Sequence, residues 1–283
     1  MLKFFIAVGI AVGSLLGLLI VSVAYILVST PRPTDIRGCI TTKMYNVHLC
    51  AQDLSYVPLK SISSNIKNAV IVSEDSTFYQ HSGIDWFELR ESAEKNWAKG
   101  EWARGGSTIT QQLAKNVYLS ADKSILRKVR EVIITLQLED ILKKDEILEK
   151  YLNVVEFGEN LYGVGPASKY YFNKTASELT PAEGAFLAFL LPSPKKYSVS
   201  FRKKQLTPFA RSRMRVIVNR MARFRSISEE QREQGIAQVD SFYSYSGTAD
   251  TSVPSAGYVE PTYSDPNEII LPPSEEEGLP ADE

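Results

Sequence analysis

The chain contains few of the side chains that form zinc or redox centres, with two cysteines and two histidines among its 283 residues. A zinc site built from Cys and His is therefore poorly supported. The glycine–lysine–Ser/Thr ending of a phosphate-binding P-loop is absent, and no groove-binding motif accompanies the cations and aromatic residues. These absences argue against a P-loop nucleotide-binding protein and lead us to expect no nucleic-acid partner.

Basic residues are missing from the last part of the chain. No Lys or Arg follows Arg232, whereas eleven Asp or Glu do, so residues 1–232 have ten more basic than acidic side chains. A basic body suits a membrane surface with anionic lipids. From residue 244 onward Ser, Pro, Gly, Asp and Glu dominate and large aliphatic residues are few, which predicts a disordered acidic tail over 244–283.

Charged residues are also missing between Lys3 and Arg32. The apolar run predicts a transmembrane helix over residues 4–29, because about 20 apolar residues cross a bilayer. The alternative is a cleaved signal peptide, but the run is longer than a signal's apolar region and no Ala-x-Ala site follows it before Pro31. Small residues recur at every fourth position of this run, at Gly9, Gly13 and Gly17. Another helix could approach closely there, although glycine is also simply common in membrane helices.

Both cysteines, Cys39 and Cys50, lie in a juxtamembrane connector over residues 31–60. The alternating pattern of residues 40–49 between them predicts a short hairpin. Two cysteines a short loop apart favour a disulfide in an exported protein, whereas in the cytosol they would stay reduced.

Residues 61–243 have a helical pattern with sparse strand signals, which predicts a mainly α-helical domain. Within residues 127–142 one apolar stripe consists of Val129, Val132, Ile133 and Leu136, and a second consists of Ile134, Leu138 and Ile141. A helix with two apolar stripes is expected to be buried on two faces. Further helices are expected to begin at Thr180 and Ser228, each followed three residues later by a capping-box partner.

Glu74 is the first candidate catalytic residue. It follows the apolar run 69–72, which predicts the end of a buried helix. A carboxylate at the rim of an apolar element has a raised pKa, which suits a general base. The alternative is an ordinary surface glutamate beside Asp75.

A polar cluster follows the glycine pair Gly105-Gly106, which allows the backbone to approach a ligand closely. Neutral donors and acceptors suited to sugar hydroxyls come next, at Ser107, Thr108, Gln111 and Gln112. Lys115 lies one helical turn after Gln111. Taken alone, the same run could be the polar start of a helix.

A group of cations accompanies a second glutamate. In a helix, Lys123, Arg127 and Arg130 lie at i, i+4 and i+7 on one narrow face. Glu131 lies at the edge of that face, where the cations complement its charge. Such cations could stabilise a phosphate leaving group. The alternative is an exposed basic face paired with acids.

The order and spacing of these blocks, together with Phe78, His81 and Gly83 after Glu74, resemble the peptidoglycan glycosyltransferases of glycosyltransferase family 51. The resemblance covers roughly residues 55–220. The Val-Val-Glu-Phe-Gly run at 154–158 is most similar to the stand-alone members of that family. The resemblance implies a mainly α, lysozyme-like two-lobed glycosyltransferase domain at 61–243 on a single N-terminal transmembrane helix.

The same resemblance implies an enzyme that polymerises lipid II into β-1,4-linked glycan strands, releases undecaprenyl diphosphate and inverts the anomeric carbon of the donor. It implies that Glu74 removes the proton of the acceptor hydroxyl and that Glu131 is the second catalytic carboxylate. The implied substrate-binding residues are Asp75, Phe78, Ser107, Thr108, Gln111, Gln112, Lys115, Asn116, Lys123, Arg127, Arg130 and Asn153. The family often has Arg where this chain has Lys123, and a lysine binds phosphate without the bidentate fork.

No cofactor is expected to be required. A divalent cation, Mg²⁺ or Mn²⁺, organised indirectly by Glu131 is the alternative to direct action of that carboxylate. The expected partners are lipid II, the growing glycan strand and the bacterial inner membrane, with the catalytic domain on the periplasmic side. The glycine stripe of residues 9–17 is where other cell-wall or division membrane proteins would bind.

Two rival functions share parts of this pattern. A glycan-cleaving muramidase or lytic enzyme also uses an acidic residue in a helical fold, but it needs no diphosphate-binding cations. A non-catalytic membrane scaffold would not need the polar blocks. Ser193 and Lys196 match the Ser-x-x-Lys pattern of a transpeptidase, but no Lys-Thr-Gly follows, so no transpeptidase activity is expected. Trp97 and Trp102, near several cations, suit a membrane interface, with core packing as the alternative.

Overall fold

The computed structural model describes residues 1–99, 106–122 and 124–243. The chain divides into two units, one of residues 1–85 and 107–243 and one of residues 86–106 and 244–283. The helices are α1 Leu2–Ser29, α2 Ser64–Glu74, α3 Trp86–Lys99, α4 Ile109–Tyr118, α5 Ile125–Ile141, α6 Lys144–Val154, α7 Val164–Phe172, α8 Pro181–Leu190, α9 Pro194–Tyr197, α10 Val199–Arg202, α11 Pro208–Arg223 and α12 Glu229–Asp240. The strands are β1 Ile40–Thr41, β2 His48–Leu49, β3 Glu156–Gly158 and β4 Leu161–Tyr162. The prediction of a mainly α protein is confirmed, and the lysozyme-like two-lobed arrangement stays a prediction.

Helix α1 is the apolar N-terminal segment. Its window Val12–Ser29 has a mean hydropathy of 2.3 and is unburied, and the helix is long and apolar enough to cross a membrane. Among the described residues, nothing lies within 4 Å of a Cβ built on Gly9, Gly13 or Gly17, so this small-residue face is uncovered. At its C-terminal end α1 meets the body, where Arg130 Nη2 donates to Ser29 Oγ at 2.8 Å.

The connector after α1 contains the predicted hairpin. Strands β1 and β2 pair antiparallel with Ile40 opposite Leu49, and a disulfide joins Cys39 to Cys50. Both sequence predictions for this segment are therefore confirmed.

The later part of the connector is attached to α6 through the polar side chains of Asn153 and Glu149. Asn153 accepts from the Val57 amide at 2.8 Å and donates to the Val57 carbonyl at 2.9 Å. Glu149 accepts from the Leu59 amide at 2.6 Å. Because each contact pairs a backbone group that would otherwise lack a partner, α6 fixes the path of the chain into α2.

Helix α2 is held in the centre of the main unit by α8 and α11. Its residues Ile66, Ala69 and Val70 are completely buried. The backbones of α2 and α8 approach so closely that a Cβ added to Gly184 would lie 2.9 Å from the Asn65 carbonyl oxygen. This packing fixes the position of Glu74, the last residue of α2.

Two predicted helix starts are confirmed. Thr180 caps α8 with Glu183 as its capping-box partner, and Ser228 caps α12 with Gln231. In both boxes the hydroxyl accepts a hydrogen bond from the backbone amide of the partner, and the partner's side-chain oxygen accepts one from the backbone amide of the cap residue.

The prediction that α5 is buried on two faces is wrong. Ile134 and Leu138 of one stripe are completely buried, whereas Val129 and Leu136 of the other stripe are 40% and 46% exposed. The apolar pattern alone cannot say whether a second layer is present, and no described element covers this stripe fully.

The described part of the second unit is mainly helix α3. It presents Trp86, Phe87 and Leu89 to the surface, with Trp86 69% exposed. The predicted interface residues Trp97 and Trp102 lie outside the residues whose side chains the structure describes.

Candidate active site

Glu74 ends α2 and lies partly exposed at the edge of the buried core. Gln112 on α4 donates from Nε2 to Glu74 Oε2 at 2.9 Å. Burial raises the pKa of Glu74, while the Gln112 hydrogen bond and the charges of Lys115 and Arg213 oppose that rise only in part. A carboxylate with a raised pKa is a stronger base, as the sequence predicted for this position.

A second hydrogen bond extends from Gln112 into the core. Tyr151 on α6 donates from its hydroxyl to Gln112 Oε1 at 3.0 Å, and the tyrosine is completely buried. The sequence pattern gave Tyr151 no role in the site, because it lies far along the chain from Glu74 and inside an apolar helix face.

Asp75 joins the Glu74 segment to the start of α4. One of its oxygens accepts from the Ile109 amide at 2.9 Å, and the other lies 2.9 Å from His81 Nε2. The side chain is almost fully buried, and these contacts place the first and second sequence blocks side by side. Phe78 is also completely buried, with Lys144 Nζ 4.6 Å from its ring centroid. Asp75 and Phe78 are therefore buried residues that hold the site in place and do not line its surface.

Thr108 and Gln111 form the capping box of α4. Thr108 Oγ1 accepts from the backbone amide of Gln111 at 3.2 Å, and Gln111 Oε1 accepts from the backbone amide of Thr108 at 3.0 Å. The Thr108 hydroxyl also donates to the Gly83 carbonyl at 2.6 Å. The helix-start interpretation of this run is thus correct for these two residues, and the start holds Gln112 and Lys115 toward Glu74.

Glu131 lies on α5 and is 2% exposed. Arg127 Nη1 contacts one carboxylate oxygen at 2.7 Å and Lys128 Nζ contacts the other at 2.5 Å. Lys128 also donates to Ser107 Oγ at 3.1 Å, so α5 is connected to the polar block before α4. The sequence prediction overlooked Lys128, although its position three residues before Glu131 is a usual ion-pair spacing.

Lys115 links the two glutamates electrostatically. Burial lowers the pKa of this lysine, with the charges of Arg127 and Lys128 acting in the same direction and those of Glu131 and Glu74 acting against it. Lys115 therefore lies within electrostatic range of both candidate carboxylates and of Arg127 and Lys128.

Arg130 reaches the C-terminal end of α1. Its Nη2 binds Ser29, and its Nε is buried without a hydrogen-bond partner among the described residues. Arg127, Arg130 and Lys43 line a cavity of about 120 Å³ at the start of α5. Lys123, the third predicted cation of this face, lies outside the described residues.

The two predicted asparagines are buried rather than presented to a ligand. Asn116 on α4 is 4% exposed. Asn153 uses its side chain on Val57 and on the Glu149 carbonyl, at 2.8–2.9 Å. Substrate contact by either residue stays a prediction, and the geometry gives Asn153 a structural task.

A divalent cation finds a poor donor set at Glu131. Both of its oxygens already contact cations, and no group of three His, Cys, Asp or Glu side chains surrounds it in the described ranges. The one such group there, His48, Cys50 and Asp53, contains a disulfide-bonded cysteine. The residues described around Glu131 therefore do not fit a divalent cation.

The site combines a glutamate with a raised pKa and a second glutamate that contacts two cations, in a mainly helical body. Such a pair of carboxylates suits the transfer of a sugar from an anionic leaving group. The transglycosylase family profile matches residues 42–222. Since that match includes well over half of the chain, the protein belongs to the transglycosylase family.

Curated relatives agree with the family match. Biosynthetic peptidoglycan transglycosylases from Aromatoleum aromaticum, Herminiimonas arsenicoxydans and Paraburkholderia xenovorans are 46%, 50% and 46% identical over 57%, 50% and 59% of this chain. The aligned segments span 70%, 62% and 68% of those relatives. Penicillin-binding protein 1A from Haemophilus influenzae is 24% identical over 54% of this chain and 17% of its own, with a TM-score of 0.27.

Proposed function

We propose that this protein polymerises lipid II into β-1,4-linked glycan strands and releases undecaprenyl diphosphate, with inversion at the donor's anomeric carbon. The observation that carries the proposal is the contrast between the two glutamates. Burial raises the pKa of Glu74, whereas Glu131 contacts Arg127 and Lys128. Two carboxylates in such different surroundings can take different tasks in one reaction.

In the proposed step, Glu74 takes the proton of the acceptor's sugar hydroxyl as the hydroxyl oxygen attacks the anomeric carbon of the donor. The bond from that carbon to the phosphate oxygen breaks, and its electron pair leaves with the diphosphate. Attack opposite the leaving group converts an α-linked donor into a β-linked product. Each cycle therefore forms one glycosidic bond and transfers one proton to Glu74.

The cations are proposed to stabilise the departing diphosphate. Lys115, Arg127 and Lys128 form part of the cluster around Glu131, and fixed charges in a partly buried site act more strongly than charges in water. Glu131 is proposed to act by holding Arg127 and Lys128 in place. Lys123 and Arg130 keep their proposed roles around the donor.

The proposed location is the bacterial inner membrane, with α1 as a single-pass anchor and the body on the periplasmic side. The disulfide between Cys39 and Cys50 supports an oxidising compartment. The uncovered glycine face of α1 is the proposed contact for other cell-wall membrane proteins.

The test is to incubate the purified full chain in detergent micelles with fluorescently labelled lipid II. Lysozyme-sensitive polymer from the wild type, and none from Glu74→Gln at equal concentration, is the expected result. Absence of polymer together with cleavage of preformed glycan would instead support the muramidase alternative.

A further inference from the structure

A buried hydrogen-bond chain lies behind the proposed catalytic base. It runs from the Tyr151 hydroxyl to Gln112 Oε1 at 3.0 Å and from Gln112 Nε2 to Glu74 Oε2 at 2.9 Å. The three residues come from α6, α4 and α2, so the chain exists only in the folded protein.

The amide of Gln112 can face Glu74 in two ways. With Nε2 toward the carboxylate it donates to the ionised form, and with Oε1 toward it the only compatible form is the protonated acid. The Tyr151 hydroxyl selects the first orientation because it donates a hydrogen bond to Oε1. Nε2 is then left facing Glu74. A Tyr151 hydroxyl facing the amide nitrogen could only accept, and its own hydrogen would then lack this partner in a completely buried position.

We propose that Tyr151 is a positioning residue that fixes the Gln112 amide so that Glu74 is held ionised and aimed for proton removal. The inference rests on the proposed role of Glu74. Tyr151 does not reach the substrate, since none of its surface is exposed.

The other charged groups around Glu74 do not fix the orientation of the Gln112 side-chain amide. Lys115 and Arg213 lower the pKa of Glu74, Asp75 raises it slightly, and burial raises it most. These groups act on Glu74 by their charge whichever way the amide of Gln112 faces. Tyr151 is the described residue whose hydroxyl bonds to the far side of the Gln112 amide.

The first experiment measures kcat and KM of Tyr151→Phe for lipid II polymerisation between pH 5 and 9. Loss of the hydroxyl lets the amide turn, so the pKa of Glu74 rises and the acid limb of the kcat profile moves up by about half to one pH unit. On the acid limb kcat falls by about 3- to 10-fold at a given pH, and at high pH it approaches the wild-type value because Glu74 is again ionised. KM stays within about twofold, since Tyr151 makes no substrate contact.

The matched control is Tyr171→Phe. Tyr171 is also buried, and its hydroxyl donates to the Phe157 carbonyl at 2.8 Å, away from Gln112. This variant should lose stability to a similar degree without moving the acid limb. An equal movement of the limb in both variants would mean a general structural effect and would overturn the proposal.

A double-mutant cycle isolates the path of the effect. In a Gln112→Ala background, Tyr151→Phe should move the acid limb no further, because the amide through which it acts is gone. An undiminished shift in that background overturns the inference.

Site-specific 3-fluorotyrosine at 151 provides a second variant with a stronger hydroxyl donor. It should move the acid limb to lower pH, the opposite of Tyr151→Phe, and no movement or movement to higher pH counts against the proposal. Retained activity of Glu74→Gln would refute the role of Glu74 itself, which is a different failure from an unshifted Tyr151 profile.

Discussion

The site contains two glutamates whose surroundings differ at the level of single contacts. Glu74 has one neutral donor, Gln112, and a desolvated edge, whereas Glu131 has a cation on each oxygen. The first arrangement favours taking up a proton, and the second favours keeping charge in a fixed position.

Glu74→Gln should reduce polymerisation by at least about 10²-fold, the usual contribution of a general base. The same variant should raise the melting temperature at pH 8. Because the folded-state pKa of Glu74 is raised, its ionised form is less favourable folded than unfolded. That penalty appears as the pH rises through the pKa of Glu74 in the unfolded chain. It becomes constant above the pKa of Glu74 in the folded protein.

The stability gain should therefore shrink as pH falls toward about 4, near the ordinary glutamate pKa. Calorimetry of both proteins from pH 4 to 8 measures this trend. A lower melting temperature for Glu74→Gln at pH 8 would contradict the assigned cause of the shift.

Arg127→Ala should lower kcat/KM by roughly 10- to 100-fold, because it removes a charge proposed to stabilise the leaving diphosphate and releases one oxygen of Glu131. Arg215→Ala is the matched control, since Arg215 is exposed and pairs with Asp240 on the far helix α12. Steady-state kinetics on labelled lipid II compares the two. Equal activity of both variants would remove Arg127 from the mechanism.

At the scale of elements, α2, α4, α5 and α6 each present one side of the site, and their ends are tied by buried polar contacts. Asp75 and Thr108 join the α2 segment to the start of α4. Asn153 and Glu149 of α6 hold the connector that leads into α2. Several residues of the sequence blocks therefore support the site without lining it.

Asn153→Ala tests such a supporting role. It should cost about 1–3 kcal/mol of unfolding free energy, because the partly buried Val57 amide and carbonyl both lose their partner. Once samples are compared at equal folded fraction, lipid II turnover should be near normal. Urea unfolding and turnover on the same preparations measure both quantities, and a large loss of kcat/KM without loss of stability would restore Asn153 as a substrate contact.

The disulfide of the connector should stabilise it by roughly 3 kcal/mol at most, given the short loop between Cys39 and Cys50. A double Cys→Ala variant should lower the melting temperature of the folded body modestly and keep polymerase activity. Mass spectrometry of membrane-prepared protein with free thiols blocked should find one intramolecular disulfide in the wild type. Two alkylated thiols would argue against the periplasmic location.

At the scale of the whole molecule, an apolar helix, a basic body and an acidic C-terminal segment follow one another along the chain. Helix α1 and the cation-lined cavity meet at Ser29, so the anchor enters the body beside the proposed donor site. This arrangement suits a substrate whose lipid tail stays in the membrane. The predicted disordered tail 244–283 lies outside the described residues.

Deleting residues 245–283 should leave polymerisation of micellar lipid II within about twofold of the full chain. The family match ends at residue 222, and the tail's composition has too little apolar surface for a core. Turnover and melting temperature of the truncated protein provide the check. An unfolded body after truncation would show that the tail is structural.

The sequence by itself determined the features that depend on near neighbours: the apolar α1, the capped starts of α8 and α12, the Cys39–Cys50 hairpin and a glutamate at the end of a buried helix. Capping, periodicity and short-loop closure act over a few residues, so a local pattern is enough to predict them. The cation–glutamate spacing on α5 was readable for the same reason, although Lys128 was overlooked.

Only the tertiary structure decided which groups surround Glu74 and which apolar stripes are covered. Tyr151 and Arg213 come from helices far along the chain, and no local pattern links them to Glu74. The exposed stripe of α5 shows the same limit, because burial depends on whether another element packs there. Desolvation and hydrogen bonds between distant segments arise only when the helices pack, and they set the pKa of Glu74.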